Sequence, residues 1–243
     1  MSLISEQEKY FFKENGYLVV KDILSPEEVN YYSDIYNKFL DNTIDGSKYR
    51  SDLSGGKDVS IEKITQIMVP SKIFPELLEK SLHIKTLQIA KELLGDDLSL
   101  DFDMLINKAP NTNTITPWHQ DAAYWINMPD KRALSCWVAI DPAYKENGCM
   151  WYTPKSHLSK ILPHKQTGNK GALMCEGSED ESVCVELHPG SCAIHHGGMK
   201  HYSRGNSTDT NRRAFITNYR PKKMIELERS KGFDHTGERE VKS

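Results

Sequence analysis

The chain predicts an α+β fold that is mainly β, and three observations carry that expectation. Helix start signals crowd the first hundred residues. Strand-type runs take over from Leu98. Turn glycines punctuate those runs. At 243 residues the length suits one large β domain with helical additions, and an apolar share of 38% is adequate for a sizeable core.

Each element follows from local signals. Ser5-x-x-Glu8 is a capping box, so a helix should run to Gly16. Tyr17-Leu18-Val19-Val20 then reads as a strand. Ser25-Pro26-Glu27-Glu28 is a second capping box with proline at the first helical position. That helix carries Val29, Tyr32, Ile35 and Leu40 and ends near Asp41. Residues 43–60 hold Asp45-Gly46-Ser47 and Ser54-Gly55-Gly56-Lys57, a loop signature. A loop of this length without structure of its own is a candidate lid over a site, with Lys48, Tyr49 or Arg50 meeting a polar substrate group. Helices resume at Pro75–Leu82 and His83–Leu94, and Gly95 stops them. Strands are expected at Leu98–Lys108, Leu134–Ile140, Cys149–Thr153, Val183–Leu187, Ser191–His195 and Ala214–Tyr219. One domain should span 1–221. Residues 222–243 are charged and poor in apolar side chains, and read as a solvated tail or a terminal helix.

Composition excludes several classes. Net charge is −3 with a sequence pI near 6.3, so no global field favours nucleic acid. No apolar stretch approaches the ~18 residues of a membrane span. The first residues lack a charged-then-apolar leader pattern. The five cysteines (136, 149, 175, 184 and 192) are odd in number and show no CxxC spacing. They read as small buried hydrophobes of a reduced, cytoplasmic protein. The expected partner is a small molecule, with no nucleic acid and no membrane, and the chain should act as a monomer or homodimer.

Two segments set far apart carry metal-ligand chemistry: Trp118-His119-Gln120-Asp121 and Lys200-His201-Tyr202-Ser203, with Arg212 after the second. His119 and Asp121 are two apart. In an extended segment they share a face, roughly 6.5–7 Å apart along the chain, and can converge on one ion. Two imidazoles and one carboxylate on one face of iron(II) leave the opposite face open for a cosubstrate and oxygen. Zinc binds the same atoms but usually keeps a single open position. A strand at 212–219 returning as a hairpin would bring Arg212 near His201, where it is a natural clamp for a dicarboxylate. The pattern suggests a non-haem iron oxygenase that consumes 2-oxoglutarate. His-x-Asp alone is common, so the inference rests on the whole set. Tyr124 and Trp125 are core aromatics or a substrate wall. His195 and His196 flank the second segment, but only His201 has the Ser and Asn that follow it.

These segments belong to a longer series. Met104-Leu105-Ile106-Asn107-Lys108-Ala109-Pro110 comes first, then Pro117-Trp118-His119-Gln120-Asp121. Trp137-Val138-Ala139-Ile140-Asp141, Glu146-Asn147-Gly148-Cys149-Met150 and Pro154-Lys155-Ser156-His157 follow. His201-Tyr202-Ser203-Arg204-Gly205-Asn206 closes it. In order and spacing the chain resembles the phytanoyl-CoA dioxygenase family of iron(II)/2-oxoglutarate oxygenases, over roughly residues 5 to 220. The resemblance implies a double-stranded β-helix, a cupin-like jelly roll with the N-terminal helices packed outside. It implies His119, Asp121 and His201 as iron ligands and Arg212 as the grip on the distal carboxylate of 2-oxoglutarate. Ser203 would support that carboxylate, with Trp137, Met104 and Gln66 lining the cosubstrate pocket. With oxygen as second cosubstrate, the products would be succinate, carbon dioxide and an oxidised small molecule. Halogenating relatives have a small residue at the position of Asp121, so its presence favours hydroxylation, desaturation or cyclisation. The chain departs from the family pattern where Tyr202 and Arg204 stand for glycines and where Lys155 replaces a turn glycine. The first two narrow the expected site mouth. Two other classes fit the ligand set. A zinc hydrolase would leave Arg212 without a role. A cupin-like metal-binding protein without catalysis would keep the barrel.

Overall fold

The structure, a computed structural model, describes residues 2–54, 62–167 and 172–236. Both capping boxes form. Helix α1 (Glu6–Asn15) starts where Ser5 Oγ accepts the Glu8 N–H, and the Glu8 carboxylate accepts the Ser5 N–H at 2.7 Å. It ends on Gly16, whose φ of 79° suits glycine. Strand β1 (Tyr17–Val20) follows, then α2 (Pro26–Leu40), built on the Ser25/Glu28 box.

The expected long loop is partly structured. A helical turn at Ser47–Tyr49 leads into β2 (Arg50–Asp52), which pairs with β3 (Ile64–Met68). Arg50 lines the same cavity as Lys48 and Tyr49 and is also tied into the fold. Its Nε donates to both Glu62 oxygens at 2.9 and 3.0 Å, and its Nη1 donates to the Leu40 carbonyl that ends α2. Residues 55–60 of that segment lie outside the described residues. Next come α3 (Pro70–Ile73), a 3-10 turn at Pro75–Glu79 and α4 (Ser81–Leu94). The break between the two expected helices falls at Lys80, not His83, because Lys80 is extended (ψ 161°). His83 instead sinks inside and meets Asp103 at 2.9 Å.

The remaining elements are β4 (Leu98–Lys108), β5 (Thr116–His119), β6 (Leu134–Ala139), β7 (Met150–Tyr152), β8 (Lys165–Gln166) and β9 (Leu173–Met174). After these come β10 (Val183–Val185), β11 (Cys192–His196), β12 (His201–Ser203), β13 (Arg212–Pro221) and helix α5 (Lys222–Ser230). One antiparallel sheet has the order β1-β11-β6-β13-β4-β3-β2, and a second has β10-β7-β12-β5. The two face each other as a jelly roll. Alternation along β13 separates two cores. Phe215 and Tyr219 point outward, where the buried side chains of α1, α2 and α4 cover the large sheet. Ala214 and Ile216 point inward, with Trp137, Met150 and Tyr152, between the sheets.

The segment at 222–243 takes the helical alternative as far as Ser230. Its amphipathic face docks because Glu228, fully buried, pairs with Arg220, while Asp101 pairs with Arg220 at 2.6 Å and with Arg229. His235 joins this cluster at 2.7 Å from Glu228, and residues 237–243 lie outside the described residues. Lys155, one of the departures from the resemblance named above, sits at φ 67°, in the region glycine favours. All five cysteines are free, four of them buried. Among the described residues no helix is long and apolar enough to cross a membrane.

Candidate active site

The small sheet brings the two histidine segments side by side. His119 ends β5 and His201 begins β12, and the two are direct partners across the antiparallel pair. Their ring centroids are 4.1 Å apart. Asp121 enters from the helical turn after β5. Its Oδ1 lies 3.7 Å from His119 Nε2 and 3.5 Å from His201 Nε2.

Backbone carbonyls orient both rings. His119 Nδ1–H donates to the Pro117 carbonyl at 2.7 Å, and His201 Nδ1–H donates to the Met199 carbonyl at 2.9 Å. A carbonyl only accepts, so the proton of each neutral ring sits on Nδ1 and the Nε2 lone pair faces Asp121. Burial lowers both imidazoles from their ordinary value, and more strongly for His201. Burial alone would raise the Asp121 carboxyl, but the surrounding imidazoles, His201 foremost, hold it well below the usual carboxylate range. Two lone pairs and a carboxylate oxygen thus converge with no hydrogen between them. The three donor atoms lie within 4.8 Å of one another, and the set suits iron(II). Asp101, Glu228 and His235 also cluster, but Arg220 and Arg229 already supply positive charge there.

The large sheet supplies the opposite wall. Met104, Ile216 and Trp137 are neighbours across β4, β13 and β6, and Gln66 lies on the adjacent strand β3. Arg212, four residues before Ile216, shares its face. Arg212 is 1% exposed, and its Nε and Nη1 have no hydrogen-bond partner among the described residues. Its guanidinium carbon lies 5.0 Å from the Trp137 ring centroid. Burial lowers its pKa to about 10, so it stays charged at neutral pH. Arg213 turns to the other face, where it pairs with Asp141 at 2.7 Å and donates to Asn37 of α2.

One cavity of about 630 Å³ contains His119, Asp121, His201, Arg212, Ser203, Trp137, Met104 and Gln66 in its lining. All eight residues singled out in the sequence therefore meet there. Gln66 Oε1 is a further buried polar atom without a partner among the described residues. Lys48, Tyr49, Tyr124 and Trp125 also line the cavity, as do His235 and Thr236 from beyond α5. Tyr202 narrows it, stacked on Trp118 at 4.7 Å. Arg204 does not, because Glu179 draws it away.

Residues 12–214 match the family model described as phytanoyl-CoA dioxygenase (PhyH). The chain belongs to this family. A Caenorhabditis elegans relative described as a probable phytanoyl-CoA dioxygenase is 26% identical over 240 residues, covering 90% of this chain and 76% of the relative. Among solved structures, EvdO2 from Micromonospora carbonacea var. aurantiaca is similar at a TM-score of 0.77 and 28% identity, covering 90% of this chain and 93% of that one. EvdO2 complexed with 2-oxoglutarate is similar at a TM-score of 0.73 and 26% identity, covering 89% and 90% of the two chains.

Three further residues stand beside the PhyH-type site: Ser135 and Asn218, which sequence reasoning missed, and His195, which it set aside as a ligand. Ser135 Oγ donates to Asp121 Oδ2 at 2.7 Å, and Asn218 Nδ2 donates to Ser135 Oγ at 2.9 Å. His195 Nε2 lies 3.1 Å from the same Oδ2. The alternation of Ser135 with Trp137 along one strand was the only available signal. Gln120, between the two ligands, is also buried. It donates to the Gly198 carbonyl at 2.7 Å and accepts the Leu162 N–H at 2.8 Å, which ties the two histidine segments together.

Proposed function

We propose that the chain is an iron(II)- and 2-oxoglutarate-dependent oxygenase that hydroxylates a small-molecule substrate, with desaturation or cyclisation as variants of the same chemistry. The observation that carries this reading is Arg212. A buried guanidinium whose Nε and Nη1 have no hydrogen-bond partner among the described residues, in the same cavity as two imidazoles and a carboxylate, is a costly arrangement unless an anion completes it. A 2-oxoglutarate molecule has a distal carboxylate for that site and an oxo-acid end to chelate a metal.

In this reading His119 Nε2, Asp121 Oδ1 and His201 Nε2 hold iron(II). Bound iron with oxygen supplies an oxidant while 2-oxoglutarate is cleaved to succinate and carbon dioxide. The chain's own residues bind, orient and exclude water. Arg212 holds the distal carboxylate, with the Ser203 hydroxyl beside it. The Trp137 ring faces the guanidinium, with its centroid 5.0 Å from the Arg212 Cζ. Met104 and Gln66 close the sides. The cavity is in the size range of small-molecule sites and leaves room for a substrate walled by Tyr124, Trp125 and Tyr202.

The test is aerobic succinate release from 2-oxoglutarate with iron(II) or zinc(II), screened across small amino acids, natural-product intermediates and acyl thioesters. Iron-dependent succinate, matched to a substrate gaining one oxygen, supports the hydroxylase. Zinc-dependent hydrolysis, or metal binding without succinate, would replace it with one of the other two classes.

A further inference from the structure

One row of the large sheet faces Asp121. Asn218, Ser135 and His195 are direct neighbours across β13, β6 and β11. Period-two alternation puts all three on the inner face, one step along from the Ile216–Trp137 row. All are at most 3% exposed.

Their hydrogen bonds run in one direction. Asn218 Nδ2 donates to Ser135 Oγ, which leaves the Ser135 hydroxyl hydrogen for Asp121 Oδ2 at 2.7 Å. A carboxylate oxygen can only accept, so His195 presents Nε2–H to Oδ2 at 3.1 Å. His195 Nδ1 is then an acceptor, and the buried Tyr152 hydroxyl donates to it at 3.2 Å. The His195 ring is 4.3 Å from that of His201. It is nevertheless not placed as a ligand, because the nitrogen nearest the site carries the proton. The two oxygens of Asp121 are therefore divided. Oδ2 is engaged by two donors, and Oδ1 faces the two Nε2 atoms.

We infer that Ser135 and His195 are positioning residues that make Asp121 a one-oxygen metal ligand. This rests on the iron site proposed above. With Oδ2 engaged, Asp121 fills one coordination position and not two, so the positions for 2-oxoglutarate and oxygen stay open. Partners of this kind, behind a metal ligand, typically change affinity or activity by about 10- to 100-fold when removed.

The test is anaerobic calorimetric titration of the full chain with cobalt(II), alongside melting of the metal-free protein. Wild type should bind one cobalt(II) per chain. Ser135→Ala and His195→Phe should each weaken binding by about 10- to 100-fold. His195→Gln should recover most of the loss, because its amide N–H can reach Oδ2. Metal-free melting temperatures should fail to track these changes. Cobalt affinity in Ser135→Ala and His195→Phe equal to or tighter than wild type overturns the inference. So does equal loss in His195→Gln and His195→Phe. Should His195→Phe not fold, Ser135→Ala decides alone, since it deletes a single oxygen. Absence of cobalt binding in the wild type overturns the iron site itself, so the two failures are distinct.

Discussion

Replacing Arg212 with methionine separates what the residue does for the fold from what it does for a ligand. Methionine keeps an unbranched chain against the Trp137 ring and removes the charge. In the free protein Arg212 is a burden: it is buried, and two of its donors lack a partner among the described residues. The metal-free variant should therefore melt no lower than wild type. The pKa of Arg212, lowered by burial to about 10, lies below that of an arginine in the unfolded chain. That cost is thus fully present at neutral pH and is relieved only as pH rises past about 10, so the comparison is flat between pH 6 and 8. Ligand binding should respond in the opposite sense. Losing one partner of a buried charge pair costs roughly 2–5 kcal/mol. At about 1.4 kcal/mol per decade, 2-oxoglutarate should bind about 30- to 4,000-fold more weakly. The assay is anaerobic titration of 2-oxoglutarate into the iron(II)-loaded protein, with Arg213→Met as control. Near-wild-type affinity in Arg212→Met with loss in Arg213→Met would refute the assignment, because β13 would then present the other face to the cavity.

Three further outcomes follow from the geometry. Glu228→Gln removes one of the two buried carboxylates that meet Arg220 and leaves Asp101 in place, so it should cost about 1–3 kcal/mol in urea unfolding; a cost near zero would mean that α5 is not held by this cluster. His196 is lowered to about 4, by burial first and then by His157 and His195, and its Nδ1 accepts the Gly198 N–H at 3.0 Å. Its folded value is below the unfolded one, so metal-free stability should fall as pH drops from about 6.5 toward 4, and His196→Gln should lessen that slope while leaving the part due to His119 and His201; an unchanged slope refutes this. Asp121→Ala and His201→Ala should each abolish iron-dependent succinate formation while the far-ultraviolet circular dichroism spectrum stays that of wild type; full turnover in either contradicts the ligand set.

What was legible in the sequence was local or periodic. The capping boxes at Ser5 and Ser25 fix helix starts through bonds spanning three residues, so no tertiary information was needed. The inward turn of Arg212 and outward turn of Arg213 follow from strand alternation alone. The strands at 50–52, 64–68 and 116–119 carry no clear signal in the sequence, because Arg50, Thr65, Gln66 and Thr116 dilute any apolar run. Their identity comes from pairing with distant chain, as when β3 adds to β4. The same limit hid Ser135 and Asn218, and the contact of His195 with Asp121. Nothing near them in sequence says that they meet, and only the register of three strands makes them one row. The terminal helix was legible only as an alternative, since a charged segment docks here through the buried Asp101 and Arg220 that receive it.

If His119, Asp121 and His201 hold iron(II) as proposed, the cavity would cleave 2-oxoglutarate at the expense of dioxygen. This is tested most directly by incubating the iron(II)-loaded protein with 2-oxoglutarate under ¹⁸O-labelled dioxygen and weighing the succinate formed. Wild type should form succinate carrying one labelled oxygen, and His119→Ala should form none. Succinate without label, or 2-oxoglutarate left intact by a protein that binds iron(II), would contradict this reading.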